Sequence, residues 1–178
     1  MRMAIVAVAL LMAGCTASLH PLYSEDDAVF DPMLLGTWRE SEGEKFFVSV
    51  RAENAAYRVI YYDGEGSGAF KARLVELQGN RFVDLYPETP PSKNGFYNVH
   101  LIPAHSFGRI LLAGDRLTIT LLDADWLRSE QASQVLLERI SLDDCQVISA
   151  ATADLRRFAT KYASTKAFSV TSEWVREQ

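Results

Sequence analysis

The chain has few of the residues from which catalytic and metal centres are usually built. Its 178 residues include two cysteines and three histidines. Two cysteines, one of them at position 15, cannot form the disulfide framework that holds many small secreted domains together. The sequence contains no His-Glu-x-x-His pattern, no Gly-x-Ser-x-Gly motif and no phosphate-binding loop. We therefore expect a protein that is not an enzyme, holds no metal or cofactor, and is stabilised by packing.

Basic charge is also scarce. Lysine and arginine total 18 against 23 acidic residues, which gives a net charge of −5, and no basic stripe occurs. Phosphate groups of nucleic acids and anionic lipids attract surfaces rich in lysine and arginine. The composition therefore excludes nucleic acid as an expected partner.

The isolated histidines and the second cysteine do not form a recognisable site. His100 and His105 straddle Pro103 at an odd spacing, which on one strand points them to opposite faces. We expect both histidines to face solvent rather than to share a metal. Cys145 follows two aspartates, and neighbouring carboxylates raise a thiol pKa, so we expect a half-buried, inert cysteine.

Two acidic segments could suggest a calcium site or a catalytic pair, but a structural role explains each of them more simply. Asp63, Glu65 and Ser67 alternate as in a calcium loop, but the twelfth position from Asp63 is a leucine instead of the required carboxylate. A glycine-rich hairpin turn explains this segment. Asp123 and Asp125 flank a predicted helix start, where carboxylates cap backbone N–H groups; a general-acid pair is the alternative.

The first segment that carries a clear signal is the N-terminus. Arg2 precedes an apolar run at 4–12, which is too short to span a bilayer and is typical of a secretory signal peptide. Met12-Ala13-Gly14-Cys15 resembles the lipobox of bacterial lipoproteins, except for Met12 where leucine is commonest. The resemblance implies cleavage after residue 14 and lipid, such as palmitate, on the sulfur and amine of Cys15. The alternative is an ordinary secretory peptide followed by an incidental cysteine.

The lipobox resemblance also implies a location. Thr16 follows the cysteine, whereas aspartate at that position resembles the inner-membrane retention signal. We expect an outer-membrane lipoprotein that faces the periplasm, if the host has two membranes. The chain then divides into a signal peptide (1–14), a lipid-anchored tether (15–34) and one domain (35–178).

The domain has the pattern of a β protein. Apolar and polar residues alternate along several segments, and the glycine-rich stretch 63–68 is the strongest hairpin signal. A proline-containing loop is expected at 87–95. The predicted strands lie at 46–51, 57–61, 69–74, 81–86, 99–113, 116–122, 134–140 and 146–150.

Near the C-terminus the apolar period changes to that of a helix. The segment 152–163 places Leu155, Phe158, Ala159 and Tyr162 on one face, with Thr152 as the expected cap. A shorter helix is predicted at 123–131. Because meandering strands remove their edges by closing on themselves, we predict an antiparallel up-and-down barrel with a C-terminal helix packed on it.

One short motif suggests a family. Gly36-Thr37-Trp38, at the start of the first predicted strand, resembles the Gly-x-Trp motif of the lipocalin (calycin) superfamily. The resemblance implies that Trp38 closes the floor of the barrel and that a basic residue near the C-terminal end packs over it. The second signature of that family, an Asp-Tyr pair, is missing. The overall layout resembles small uncharacterised bacterial lipoproteins, which implies no activity. For the basic residue that is expected to pack over Trp38, the candidates are Arg139, Arg156 and Arg157.

Two functions are compatible with these patterns. The first is a lipid-anchored cell-envelope protein that binds a small apolar or amphipathic ligand in its barrel. The alternative is an envelope protein-protein interaction or assembly module with a solid core, which uses the loop 87–95 and the neighbouring aromatics Tyr86, Phe96 and Tyr97. The expected inward positions are Phe46, Val48, Val59, Phe70 and Leu74.

Overall fold

The alternating segments form a curled, barrel-like antiparallel sheet, in a computed structural model. The structure describes residues 15–40, 45–50, 56–62, 66–88, 94–98, 100–129, 137–143 and 145–177, and for 25, 45–50 and 95 it describes the backbone. The strands in this part of the chain are β1 (Thr16–Ser18), β2 (Ala28–Val29), β3 (Gly36–Glu40), β4 (Lys45–Val50), β5 (Tyr57–Tyr62), β6 (Ser67–Leu77), β7 (Asn80–Pro87), β8 (Ser106–Ala113), β9 (Arg116–Leu122), β10 (Arg139–Leu142), β11 (Cys145–Ile148) and β12 (Phe168–Arg176).

Strand pairing follows the order of the chain through most of this sheet. From β3 to β9 each strand pairs antiparallel with the next. β12 then pairs with β9 on one side and with β3 on the other. The pairings therefore run in a circuit that returns to its first strand, as expected for a sheet that removes its own edges. The predicted mainly β, antiparallel fold is confirmed at this level.

A strand that the sequence pattern did not predict, β12, follows the predicted C-terminal helix. Between β9 and β12 the described residues form the helices α2 (Ala124–Arg128) and α3 (Thr152–Tyr162), together with β10 and β11. The sheet is thus completed by a strand that follows the helix, whereas the sequence pattern placed no strand there. β10 and β11 form a small second sheet with β1, in which β1 runs parallel to β11.

The core has two parts because the barrel-like sheet is covered on both faces. Leu74 and Val75 are adjacent and both fully buried, although neighbouring side chains of a strand point to opposite faces. Leu74 belongs to the cluster on the inner face, with Trp38, Ile110 and Leu117. Val75 belongs to the outer cluster, which α3 and the N-terminal segment cover.

α3 supplies an apolar face to the outer cluster. The predicted helix is confirmed at Thr152–Tyr162, and Leu155, Phe158 and Ala159 are buried. Its cap differs from the prediction, because Ala151 is the N-cap residue and makes no side-chain cap. The Thr152 hydroxyl instead donates to the carbonyl of Pro21 at 2.8 Å, which ties the helix start to the N-terminal segment.

α2 begins as expected from its aspartate but is shorter than predicted. The Asp123 carboxylate accepts hydrogen bonds from the backbone N–H groups of Asp125 at 2.8 Å and Trp126 at 3.0 Å. Partial burial of Asp123 opposes ionisation, but these bonds and one from the Ser169 hydroxyl outweigh it and lower the pKa of the carboxyl. The capping interpretation of Asp123 is therefore confirmed.

The segment before β8 is not the long strand that its apolar residues indicated. A short helix, α1 (Gly95–Asn98), precedes the strand predicted at 99–113, and the observed strand starts only at Ser106. Pro103 lies between the two elements, and proline cannot donate a hydrogen bond within a sheet. The predicted strand at 134–140 begins late, at Arg139, and 130–136 lie outside the described residues.

The N-terminal segment 15–34 lies against the domain. Leu22 is fully buried within the outer cluster. No helix in the described part of the chain has the length and apolar character needed to cross a membrane.

Candidate ligand-binding cavity

The inner face of the barrel-like sheet surrounds a cavity of about 220 Å³. Side chains from β5, β6, β7, β8, β9 and β12 line it, so the space lies within the curl of the sheet. Alternation along each strand directs one set of side chains inward. The lining residues are Leu34, Tyr57, Val59, Tyr61, Phe70, Ala72, Leu74, Val83, Leu85, Ser106, Phe107, Gly108, Ile110, Leu117, Ile119, Leu121, Ser172 and Trp174.

The lining described by the structure is almost entirely apolar and contains no charged side chain. Two of its polar groups are already bonded to protein atoms. The Tyr57 hydroxyl bonds to the backbone of Asp31, and burial raises the pKa of this hydroxyl, which keeps it neutral. The Ser172 hydroxyl accepts a hydrogen bond from Trp174 Nε1 at 2.9 Å. Such a cavity favours an uncharged molecule or the hydrocarbon part of an amphipathic one.

Trp38 is buried in the inner core at the start of β3. Its side chain is fully buried, and its Nε1 donates a hydrogen bond of 3.0 Å to the carbonyl of Leu34. Leu34 ends a 3₁₀ helix at Pro32–Leu34 and also lines the cavity. The indole therefore holds in place the backbone of Leu34, one of the residues that line the cavity.

A basic residue near the C-terminus does pack over Trp38, and it is Arg176. Arg176 and Trp38 are direct partners across β12 and β3, and the guanidinium carbon lies 4.2 Å from the indole ring centroid. The guanidinium also donates to the carbonyls of Met33 and Leu35 and to Asp115, the last at 3.1 Å. Arg176 thereby joins the last strand to the segment that precedes the first strand of the sheet.

The three arginines named as candidates lie elsewhere, and that expectation was wrong. Arg139 donates to the carbonyls of two leucines near α2. Arg156 bonds to Asp27, and Arg157 bonds to Asp154 within its own helix. Proximity to the helix did not identify the basic residue, because strand pairing decides which side chain reaches Trp38.

The geometry of this unit explains why the first residue of Gly-x-Trp is a glycine. Gly36 has a φ of +127°, a backbone conformation that residues with a Cβ rarely adopt. A Cβ at this position would also lie 2.8 Å from Nη1 of Arg176. Gly36, Trp38 and Arg176 thus form one packed unit, and Arg176 was the member that sequence reasoning missed.

The expected inward positions agree with the lining where the structure describes them. Val59, Phe70 and Leu74 line the cavity. The side chains of Phe46 and Val48 lie outside the described residues. The two residues of β12 that line the cavity, Ser172 and Trp174, had no predicted strand to place them there.

His105 is buried, so its predicted solvent exposure was wrong. Its Nδ1 lies 2.7 Å from Oδ1 of Asp84, whose side chain is fully buried. The other carboxylate oxygen of Asp84 accepts a hydrogen bond from the backbone N–H of Leu22 at 2.7 Å. The backbone of His105 also exchanges two 2.8 Å hydrogen bonds with Ser18. The pair therefore holds the N-terminal segment against the wall of the sheet. His100 is exposed, as predicted.

Cys15 is exposed, and Cys145 is half-buried beside it. Burial and the neighbouring Cys15 thiol raise the pKa of the Cys145 thiol to about 11. A thiol with this pKa is protonated at neutral pH and a poor nucleophile. Within the described residues no group of three or more histidine, cysteine or acidic side chains is arranged to hold a metal. Asp63 and Glu65 lie outside these residues.

Comparison with family models, curated proteins and solved structures finds no match for this chain.

Proposed function

We propose that this chain is a lipid-anchored cell-envelope protein whose lipocalin-like barrel binds a small apolar or amphipathic molecule. The observation that carries the proposal is the apolar cavity inside the curled sheet. The packed unit of Gly36, Trp38 and Arg176 supports the relation to lipocalins, because it contains both the motif and the basic residue that the resemblance implies.

The size of the cavity limits the ligand. At about 220 Å³ it exceeds the apolar cavity of ~150 Å³ that is known to bind benzene, and it lies below the ~300–1,000 Å³ of pockets for drug-sized molecules. A medium-length acyl chain or a ligand of two fused aromatic rings fits this range. An amphipathic ligand would keep its polar end outside the apolar lining.

Replacing Ala72 by phenylalanine is expected to abolish ligand binding without unfolding the domain. Ala72 lines the cavity and is almost fully buried, so a larger side chain at this position fills the space available to a ligand. Octanoate and naphthalene serve as probes, and the fluorescence of Trp174, which lines the cavity, reports their binding. We expect the apparent Kd to rise by more than about tenfold.

Ala113→Phe is the matched control, because Ala113 is exposed at the end of β8. It should bind both probes as the wild type does. Equal binding by the two variants would place the bound probe outside the cavity. The absence of saturable binding to the wild-type domain, also for phospholipids and haem, would contradict the proposed function.

The proposed anchor gives a separate prediction. Cys15→Ser removes the sulfur that would carry the lipid, so the protein is expected in the soluble periplasmic fraction or as an unprocessed precursor. Fractionation followed by a carbonate wash measures this, with Cys145→Ser as the control that should remain in the membrane. Unchanged membrane association of the Cys15 variant would count against acylation.

A second candidate function, binding to another envelope protein, is favoured by the exposed apolar side chains before β8. Phe96 is 78% exposed and Ile102 is 76% exposed, and Tyr97 lies beside them. Aromatic residues with this exposure are typical of contact surfaces. A photo-crosslinker at Phe96 should capture one partner protein in cells, whereas the same crosslinker at exposed Met33 should not. Equal capture from both positions would contradict this function.

A further inference from the structure

The small sheet of β1, β11 and β10 has two faces of different character. Gln146 and Ile148 of β11 are fully buried, as is Ser18 of β1, which is the partner of Ile148. The Thr16 hydroxyl on the same face bonds to the carbonyl of Leu122. This face therefore packs against the domain.

The opposite face is exposed and apolar. Successive residues of a strand point to opposite sides, so Val147 and Cys145 lie on this outer face. Ala17 and Ile140 are the partners of Val147, and Leu142 is the partner of Cys145. Ile140 is 55% exposed and Leu142 is 57% exposed.

Cys15 belongs to the same outer face. It precedes Thr16, whose partner is Gln146, so the register places Cys15 beside Cys145, and the two thiols interact. The backbone N–H of Gln146 donates to the carbonyl of Cys15 at 2.7 Å. Cys15 is therefore fixed to the sheet, with no flexible spacer between them.

We propose that this outer face, made of Ala17, Ile140, Leu142, Cys145, Val147 and Cys15, rests on the lipid bilayer. The inference depends on the proposed lipidation of Cys15. Because Cys15 is held within the sheet, a lipid attached to it brings this face close to the bilayer. Uncharged apolar side chains enter the boundary between headgroups and acyl chains favourably.

The test uses the acylated full-length protein with a single fluorescent label. In a Cys145→Ser background, Ile140→Cys is labelled with the environment-sensitive dye NBD, and Met33→Cys is the control. The two positions are similarly exposed, at 55% and 53%. Met33 contacts Arg176 near Asp115, at one end of β9, whereas β1 contacts Leu122 at the other end. The protein is bound to vesicles of phosphatidylethanolamine and phosphatidylglycerol, with and without brominated acyl chains.

Emission from position 140 should shift to shorter wavelength and be quenched by the brominated lipids, while position 33 should show neither effect. If the protein is acylated and vesicle-bound but the two positions behave alike, the face does not contact the bilayer. Shielding of position 140 from aqueous iodide without quenching by brominated lipid would show that a second copy covers the face, which also overturns the inference. Mass spectrometry of the N-terminal peptide separates these results from a missing acyl group, which would refute the anchor and this inference together.

Discussion

The variant Phe158→Ala is expected to lower the free energy of unfolding by about 3–5 kcal/mol, the range observed when a buried phenylalanine is removed. Phe158 is 4% exposed, in the middle of the apolar face of α3. Its ring centroid lies 5.0 Å from that of Tyr162 and 6.2 Å from those of Trp126 and Phe168. These rings join α2, α3 and β12, so the substitution leaves a cavity among several elements. Urea denaturation followed by circular dichroism measures the change.

Arg157→Ala is the control on the same helix. The Arg157 side chain is 77% exposed and forms an ion pair with Asp154, one turn earlier in the same helix. An exposed pair of this kind contributes little, so we expect a change within about 0.5 kcal/mol. Equal, small effects of the two substitutions would show that α3 is not docked on the sheet, and the described packing would be refuted.

The second large effect is expected for Arg176→Ala, which should lower the free energy of unfolding by about 2–3 kcal/mol. The variant loses a cation–π contact and the hydrogen bonds that the charged guanidinium donates. The guanidinium covers Trp38 and bonds to the carbonyls of Met33 and Leu35. Its removal exposes the indole and frees the segment before β3. Urea denaturation gives the stability, and a red shift of tryptophan emission reports the exposed ring.

Arg116→Ala provides the comparison for this variant. Arg116 is exposed on the neighbouring strand β9, opposite Val175. Its replacement by alanine therefore removes the same charge at the same end of the sheet. We expect unchanged emission and a stability change within about 0.5 kcal/mol. If both variants give the same emission and stability, Arg176 does not stabilise the Trp38 unit.

Regular local patterns account for the parts of the fold that could be predicted. The alternation in β5, β6 and β9 is clear because polar and apolar residues follow each other with few exceptions. The period of α3 is equally clear, since Leu155, Phe158 and Ala159 lie at helical spacing. Each of these signals is local, so one sequence is sufficient to detect it.

β12 was missed because one residue interrupts its alternation. Val170 and Trp174 face inward, but the position between them is Ser172, where an apolar residue would be expected. The structure explains the serine, because its hydroxyl accepts the hydrogen bond of Trp174 Nε1. Without β12 the sequence offered no way to place Arg176 opposite Trp38. The basic residue was therefore sought in the wrong segments.

The buried Asp84–His105 pair shows a second kind of limit. The two residues are 21 positions apart, and their contact depends on the pairing of β7 with β8 and on the N-terminal segment that covers them. His105 lies near a proline in a segment where polar and apolar residues do not alternate regularly, so the local sequence does not indicate that it is buried. Contacts between segments that are distant in sequence depend on the tertiary structure, so a local sequence pattern does not predict them.

A methyl NMR titration of the soluble domain, residues 16–178, with octanoate tests the central claim most directly. The account predicts saturable shifts for methyl groups that line the cavity, among them those of Leu74, Ile110 and Leu117, and none for the exposed methyls of Leu111. The contradicting result is a folded domain whose cavity methyls do not shift, or whose shifts are confined to exposed side chains.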